Sequence, residues 1–241
     1  SRTPSYLGPV KDGRSLPRDP FDPDAPPQSA GLPMILGNTH DETRTLMGRG
    51  DPSIFDLSWD TLQPTLEASS PFMGSLDRGE VIAAYRRWYP QYSPADVFFA
   101  STTASRSWRG QVIEADRRAV QAGARDRTWV FQLDWQSPVD GGRWGAHHGL
   151  DVPLIFDNVP HAPHLVGTGA EAQPMAEQMS DTLLAFARMG RPDHRGIPAW
   201  PTYDLDRRPT LIFDRTARVA DDPRGDERRL FSGVPYVQPG T

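Results

Sequence analysis

Cysteine is absent from the 241 residues, which removes disulfides, thiolate metal sites and a cysteine nucleophile together. Lysine is nearly absent too: Lys11 stands alone, and the remaining basic charge is arginine. Lys+Arg total 26 against 31 Asp+Glu, a formal net charge of −5, and no basic block or stripe stands out. Nucleic acid is therefore not expected as a partner. Long apolar runs are missing as well. The longest cover about six residues where a membrane-spanning helix needs about twenty, so no membrane partner is expected. Residues 1–13, SRTPSYLGPVKDG, contain none of the apolar core of a secretory leader. The compartment stays open on these grounds, with the cytoplasm favoured over secretion. The serine-nucleophile signature G-x-S-x-G is nowhere in the chain; Gly13-Arg14-Ser15 and Gly74-Ser75 lack its flanking glycines.

The length fits one large domain or two small ones. A hydrophobic fraction of 37% with seven Trp is enough for a core. Proline, at 25 residues, runs at about twice average usage and concentrates in residues 1–31, which read as extended because each X-Pro turns its predecessor away from the α region. Residues 32–37, LPMILG, are a short apolar run of the kind expected for a fully buried strand. Helical spacing covers 60–66, weakened by Pro64, and 78–89, where Val81, Ile82, Tyr85, Trp88 and Tyr89 share one face. Ser93-Pro94-Ala95-Asp96 reads as a helix start, and a further helix is expected over 107–122 with Gly123 as its stop. Residues 129–135, WVFQLDW, alternate as a strand does. A glycine-rich loop follows, then an apolar run at 152–156. Met175, Met179, Leu183 and Phe186 form the apolar stripe of a helix over 171–189, ended by Gly190. The tail offers one short strand, 210–213, and a charged stretch, 215–229.

Both main strands are apolar enough for the centre of a helix-covered parallel sheet. Central strands need neighbours on both edges for their backbone groups, and this chain holds too few others to supply them. Part of a larger sheet is the expectation.

In open α/β sheets functional groups gather beyond the carboxyl ends of strands. Asp41 and Glu42 follow the first strand, and His147 and His148 lie in the loop after the second. A carboxylate that orients an imidazole is the non-nucleophilic part of a catalytic triad. On local pattern alone, Glu42 serves equally as a helix-start residue and either histidine as a backbone-bonded loop residue. His147, His148, Asp151, His161 and His164 also raise a metal reading, but ligand spacings such as H-E-x-x-H are missing. Neither metal nor cofactor is expected. Phe55, Trp59, Phe72, Phe98, Phe99 and Trp108 are candidates for pocket walls, with ordinary helix core as the favoured alternative.

The sequence motifs resemble those of the type-B carboxylesterases, the α/β-hydrolase family that includes para-nitrobenzyl esterases and cholinesterases. Residues 8–17 are similar to the family's G-P-V-x-D-G-x-x-L-P segment. LPMILGNTHDE, 32–42, resembles the strand and turn that present the family's acid, and this implies that role for Glu42. Residues 145–156, GAHHGLDVPLIF, resemble the G-x-x-H-G-x-[DE]-x-P-x-x-F stretch holding the histidine, which implies His148 and not His147. FARMGRP at 186–192, Trp200-Pro201-Thr202-Tyr203 and 211–213 complete the match.

The resemblance implies the C-terminal half of one α/β-hydrolase domain over 1–241: an extended segment (1–31), strand and acid loop (32–43), helical insertion (44–127), strand and histidine loop (128–156), C-terminal helix (171–190) and tail (200–241). Such a fold, a mostly parallel sheet flanked by helices, is incomplete without an N-terminal segment. The implied activity is hydrolysis of small-molecule carboxylic esters by a Ser-His-Glu triad. The implied partner is the N-terminal half of the same enzyme, of roughly 250–300 residues, bringing serine and oxyanion hole. The chain alone is expected to be inactive. The other reading is a non-catalytic, cholinesterase-like adhesion module, which needs neither Glu42 nor His148. Thr43 departs from the family pattern, where glycine commonly follows the acid; a changed turn with an unchanged carboxylate is the expectation.

Overall fold

The computed structural model describes residues 10–236; of the similarity segment at 8–17, residues 8 and 9 lie outside it. Four strands form one sheet in the order β1 (Met34–Thr39), β2 (Thr128–Leu133), β3 (Pro209–Phe213), β4 (Arg218–Asp221). The first three are parallel, with Thr39 opposite Leu133 and Leu133 opposite Phe213, and β4 returns antiparallel. β1 begins two residues later than the pattern suggests. It is also not fully buried: Met34, Ile35 and Leu36 are only half-buried. The reason is its place. Among the described residues β2 flanks one of its edges and no strand flanks the other. β2 and β3, with neighbours on both sides, are buried throughout.

Between β1 and β2 run α1 (Glu42–Leu46), α2 (Trp59–Ser69), α3 (Arg78–Trp88), α4 (Pro94–Thr103) and α5 (Arg109–Ala119). Their starts follow from capping: Ser58 and Ser93 each close a capping box, and the Asp77 carboxylate accepts the Glu80 N–H. The helix expected from 107 is not separate. α4 and α5 are one rod joined by a π turn over Ala104–Trp108, with no capping residue to divide them.

After β2 come α6 (Asp151–Ile155), α7 (Pro163–Val166) and α8 (Ala172–Met189). Gly190 ends α8 in the left-handed conformation, as its position predicts. Leu150, Leu154, Met175 and Met179 cover one sheet face against Trp129, Phe131, Leu211 and Phe213. Ala115 and Ala119 of α5 cover the other, against Val130 and Leu36. α2, α3 and α4 build a second core around Leu62, Tyr85, Phe98 and Phe99. No helix among the described residues is long and apolar enough to cross a membrane.

The charged tail holds two elements that its pattern hides, β4 and α9 (Gly225–Phe231). Both are short, and α9 turns one of its charges, Glu227, inward beside Arg224 at its start. Arg224 and Glu227 are 3% and 2% exposed and paired at 2.5 Å. Tyr85 and Tyr89 hydroxyls donate to Glu227 at 2.6 and 2.8 Å, and the Arg224 guanidinium lies over Trp108. The tail is thereby fastened to the helical layer. Removing one member strands a buried charge, so Arg224→Met is expected to cost about 3–5 kcal/mol in denaturant unfolding, with Arg224→Met/Glu227→Leu recovering much of it. A single variant within about 0.5 kcal/mol of wild type contradicts this role.

Candidate active site

Beyond β1 the chain continues its pairing with β2 by one bond, His40 N–H to the Leu133 carbonyl at 2.9 Å. It then changes partner. Asp41 forms an isolated parallel bridge with His147, carried by Asp41 N–H to the Ala146 carbonyl at 2.8 Å. The histidine loop is itself pinned by Ser137 N–H to the Gly145 carbonyl at 3.1 Å and by the Ser137 hydroxyl to the Leu165 carbonyl. Because Asp41 and His147 are opposite one another, the next residues of the two loops emerge side by side. These are Glu42 and His148, with His148 Nδ1 2.5 Å from Glu42 Oε2.

The two side chains live in different surroundings. Glu42, at the first turn of α1, is 12% exposed, and its other oxygen accepts the Thr39 N–H at 3.2 Å. His148 is 58% exposed, and among the described residues no serine hydroxyl meets its Nε2. Burial works against the Glu42 carboxylate, but the His148 hydrogen bond and charge and the Thr39 N–H outweigh it, leaving its pKa below 4.5. The Glu42 hydrogen bond holds the His148 pKa above 6.5, against partial burial and Arg106, with the charges of Glu42 and Asp151 adding. A raised imidazole and a depressed carboxylate describe a pair held ionised together. Its contribution to folding is present below the ordinary imidazole pKa and is lost as pH rises through the raised one. On the acid side it fades as pH falls through the depressed Glu42 value.

His147 is buried, with Nδ1 3.0 Å from the His148 carbonyl, and burial lowers its pKa. The wider metal reading does not come together, since among the described residues no three His, Asp or Glu side chains converge as ligands. Of the aromatic candidates, Phe98, Phe99 and Trp108 are core. Phe55 packs on Phe99 at 4.9 Å, Phe72 is half-buried beneath Arg106, and Trp59 is exposed under Arg86.

Thr43, where the family pattern commonly has glycine, is fully buried. Its hydroxyl donates to the Phe99 carbonyl at 2.9 Å and lies 2.8 Å from the Thr102 and Thr103 hydroxyls, while its N–H donates to Thr103 at 3.1 Å. The acid loop is bolted to α4 through this residue, which sequence reasoning treated only as a departure. Thr43→Val keeps the shape and strands these partners, so a loss of about 1–3 kcal/mol is expected in denaturant unfolding. Wild-type stability would dismiss the anchor.

The sequence model of the carboxylesterase family matches residues 1–231. Para-nitrobenzyl esterase of Bacillus subtilis (strain 168) is 26% identical over 231 residues, 94% of this chain and 43% of that protein. Phenmedipham hydrolase of Pseudarthrobacter oxydans is 26% identical over 230 residues, 91% of this chain and 43% of that protein. Among solved structures, the Geobacillus stearothermophilus carboxylesterase EST55 at pH 6.2 superposes with a TM-score of 0.73 at 28% identity, covering 94% of this chain and 46% of its own. The chain thus spans less than half the length of these relatives. Its mostly parallel sheet and flanking helices are part of an α/β-hydrolase fold. Since the family match runs unbroken through the acid loop, the helical layer and the histidine loop, this chain belongs to the carboxylesterase family.

Proposed function

We propose that this chain supplies the acid and the base of a Ser-His-Glu carboxylic ester hydrolase, Glu42 and His148, and that a segment outside these 241 residues supplies the serine and the oxyanion donors. The observation that carries the reading is the 2.5 Å contact between Glu42 and His148, set by the pairing one residue earlier. Three things favour a second segment: the missing G-x-S-x-G, the 43% coverage of the relatives and the unpaired outer edge of β1 among the described residues. An apolar strand edge left open invites another strand, and Met34-Ile35-Leu36 is such an edge.

In this mechanism the serine hydroxyl attacks the ester carbonyl while His148 Nε2 takes its proton. Glu42 accepts the Nδ1–H, fixing the tautomer and stabilising the imidazolium as it forms. The proton then passes from Nε2 to the departing alcohol, leaving an acyl-serine. Water attacks the acyl-serine as His148 takes its proton, and serine is released when Nε2 returns that proton. Backbone N–H groups of the second segment hold the oxyanion in both halves. The substrate class is a small-molecule carboxylic ester. The half-exposed imidazole and shielded carboxylate suit these roles: with Nδ1 engaged by Glu42, Nε2 is the nitrogen left for serine, while Glu42 stays largely away from water.

In the whole enzyme, His148→Ala is expected to lower kcat for an activated ester by at least about a thousandfold, with the fold intact by circular dichroism. Activity requires neutral His148, so kcat/KM should rise with pH through an acid limb centred above 6.5. Retained turnover in His148→Ala, or a kcat/KM profile with no acid limb, contradicts the assignment.

A further inference from the structure

Asp41 carries a buried carboxylate at the join between the two loops, and the mechanism above does not use it. Its side chain is 9% exposed. Oδ2 accepts the Ala146 N–H at 3.0 Å, while Oδ1 lies 3.3 Å from His40 Nδ1 and 3.4 Å from Arg44 Nε. Arg44 also pairs with Asp96 of α4 and donates to the Arg143 carbonyl on the histidine loop.

The bridge between Asp41 and His147 is thin. Among the described residues one backbone hydrogen bond of ordinary geometry holds it, Asp41 N–H to the Ala146 carbonyl. The Asp41 carboxylate adds the second by taking the Ala146 N–H, so one residue grips both the donor and the acceptor of Ala146. Gly145 makes that grip possible. A Cβ at Gly145 would stand 2.5 Å from Asp41 Oδ2 and 2.9 Å from its Cγ, and φ there is +59°. Burial disfavours the ionised carboxylate, but His40, Arg44 and the Ala146 N–H together hold its pKa well below the usual range. The acceptor is therefore charged, which strengthens the bond to Ala146.

We propose that Asp41 is a positioning residue for the Glu42–His148 pair: its carboxylate locks the acid loop to the histidine loop at Ala146 and so sets how closely Glu42 meets the imidazole one residue further on. The inference rests on the triad reading above and names a residue that acts through Glu42 and His148 without touching substrate.

The test uses the whole enzyme and p-nitrophenyl acetate. Misplacing a catalytic group by about an ångström costs up to about a hundredfold. Asp41→Ala is accordingly expected to lower kcat about 10- to 100-fold with KM within about twofold. Loosening the Glu42 contact also removes the main influence that raises His148, so the acid limb of kcat/KM should move down towards 6.5. The other charges facing that imidazole, Asp151 and Arg106, stay in place. Asp41→Asn keeps an acceptor for Ala146 and should restore most of kcat and of the limb. Gly145→Ala should reproduce the Asp41→Ala phenotype by displacing the carboxylate.

Wild-type kcat and limb in Asp41→Ala would overturn the proposal. So would equal impairment in Asp41→Asn, which would make charge and not the Ala146 bond the cause. Failure of both Asp41→Ala and Gly145→Ala to fold would make Asp41 a fold residue and overturn it too. Activity in His148→Ala would sink the triad reading itself, whereas an inactive His148→Ala beside an unimpaired Asp41→Ala would sink this inference alone.

Discussion

Asp41 and His147 pair as a single parallel bridge beyond the ends of β1 and β2, and the placement of the site's side chains follows from that pairing. The sheet alone would not produce it. β1 and β2 are in register up to Thr39 and Leu133, after which the two chains diverge, and the histidine loop wanders through a short turn before returning at Ala146. Only the bridge restores a shared register. One residue later it delivers Glu42 from one loop and His148 from the other at hydrogen-bond distance.

Several contacts hold the acid loop against its surroundings while the bridge holds it to its partner. Thr43 ties it to the hydroxyls of α4, and Arg44 reaches Asp96 at the start of the same helix. Asp96 also closes the capping box with Ser93, so the group that starts α4 also anchors the acid loop. The electrostatic result is a carboxylate kept ionised despite burial beside an imidazole whose proton affinity it raises. An orienting acid needs that state, since a neutral Glu42 would lose its charge-assisted hold on Nδ1–H.

Much of this was legible in the sequence where side-chain polarity tells inside from outside. The apolar runs of β1, β2 and β3, the stripe of α8 ending at Gly190 and the Ser93-Pro94 start of α4 all announce themselves that way. α9 does not, because Arg224 and Glu227 satisfy one another inside the protein and so reverse the rule that charge means surface. β4 is short and polar at both ends, and its pairing with β3 is a tertiary fact without a local pattern. α4 and α5 read as two helices in the sequence, although no capping residue divides them at the π turn. At the site, residue types narrowed the choice to two carboxylates and two imidazoles. Family motifs pointed to Glu42 and His148, but the buried work of Asp41 and Thr43 depends on partners about 60 to 105 residues away.

On the proposed division of the triad, this chain carries base and acid and another segment carries the nucleophile. Treating the purified active enzyme with a fluorophosphonate and locating the adduct by mass spectrometry tests that division directly. One adduct is expected, on a serine outside these 241 residues, and none when His148 is replaced by alanine. An adduct on any serine of this chain, formed as it loses activity, would contradict it.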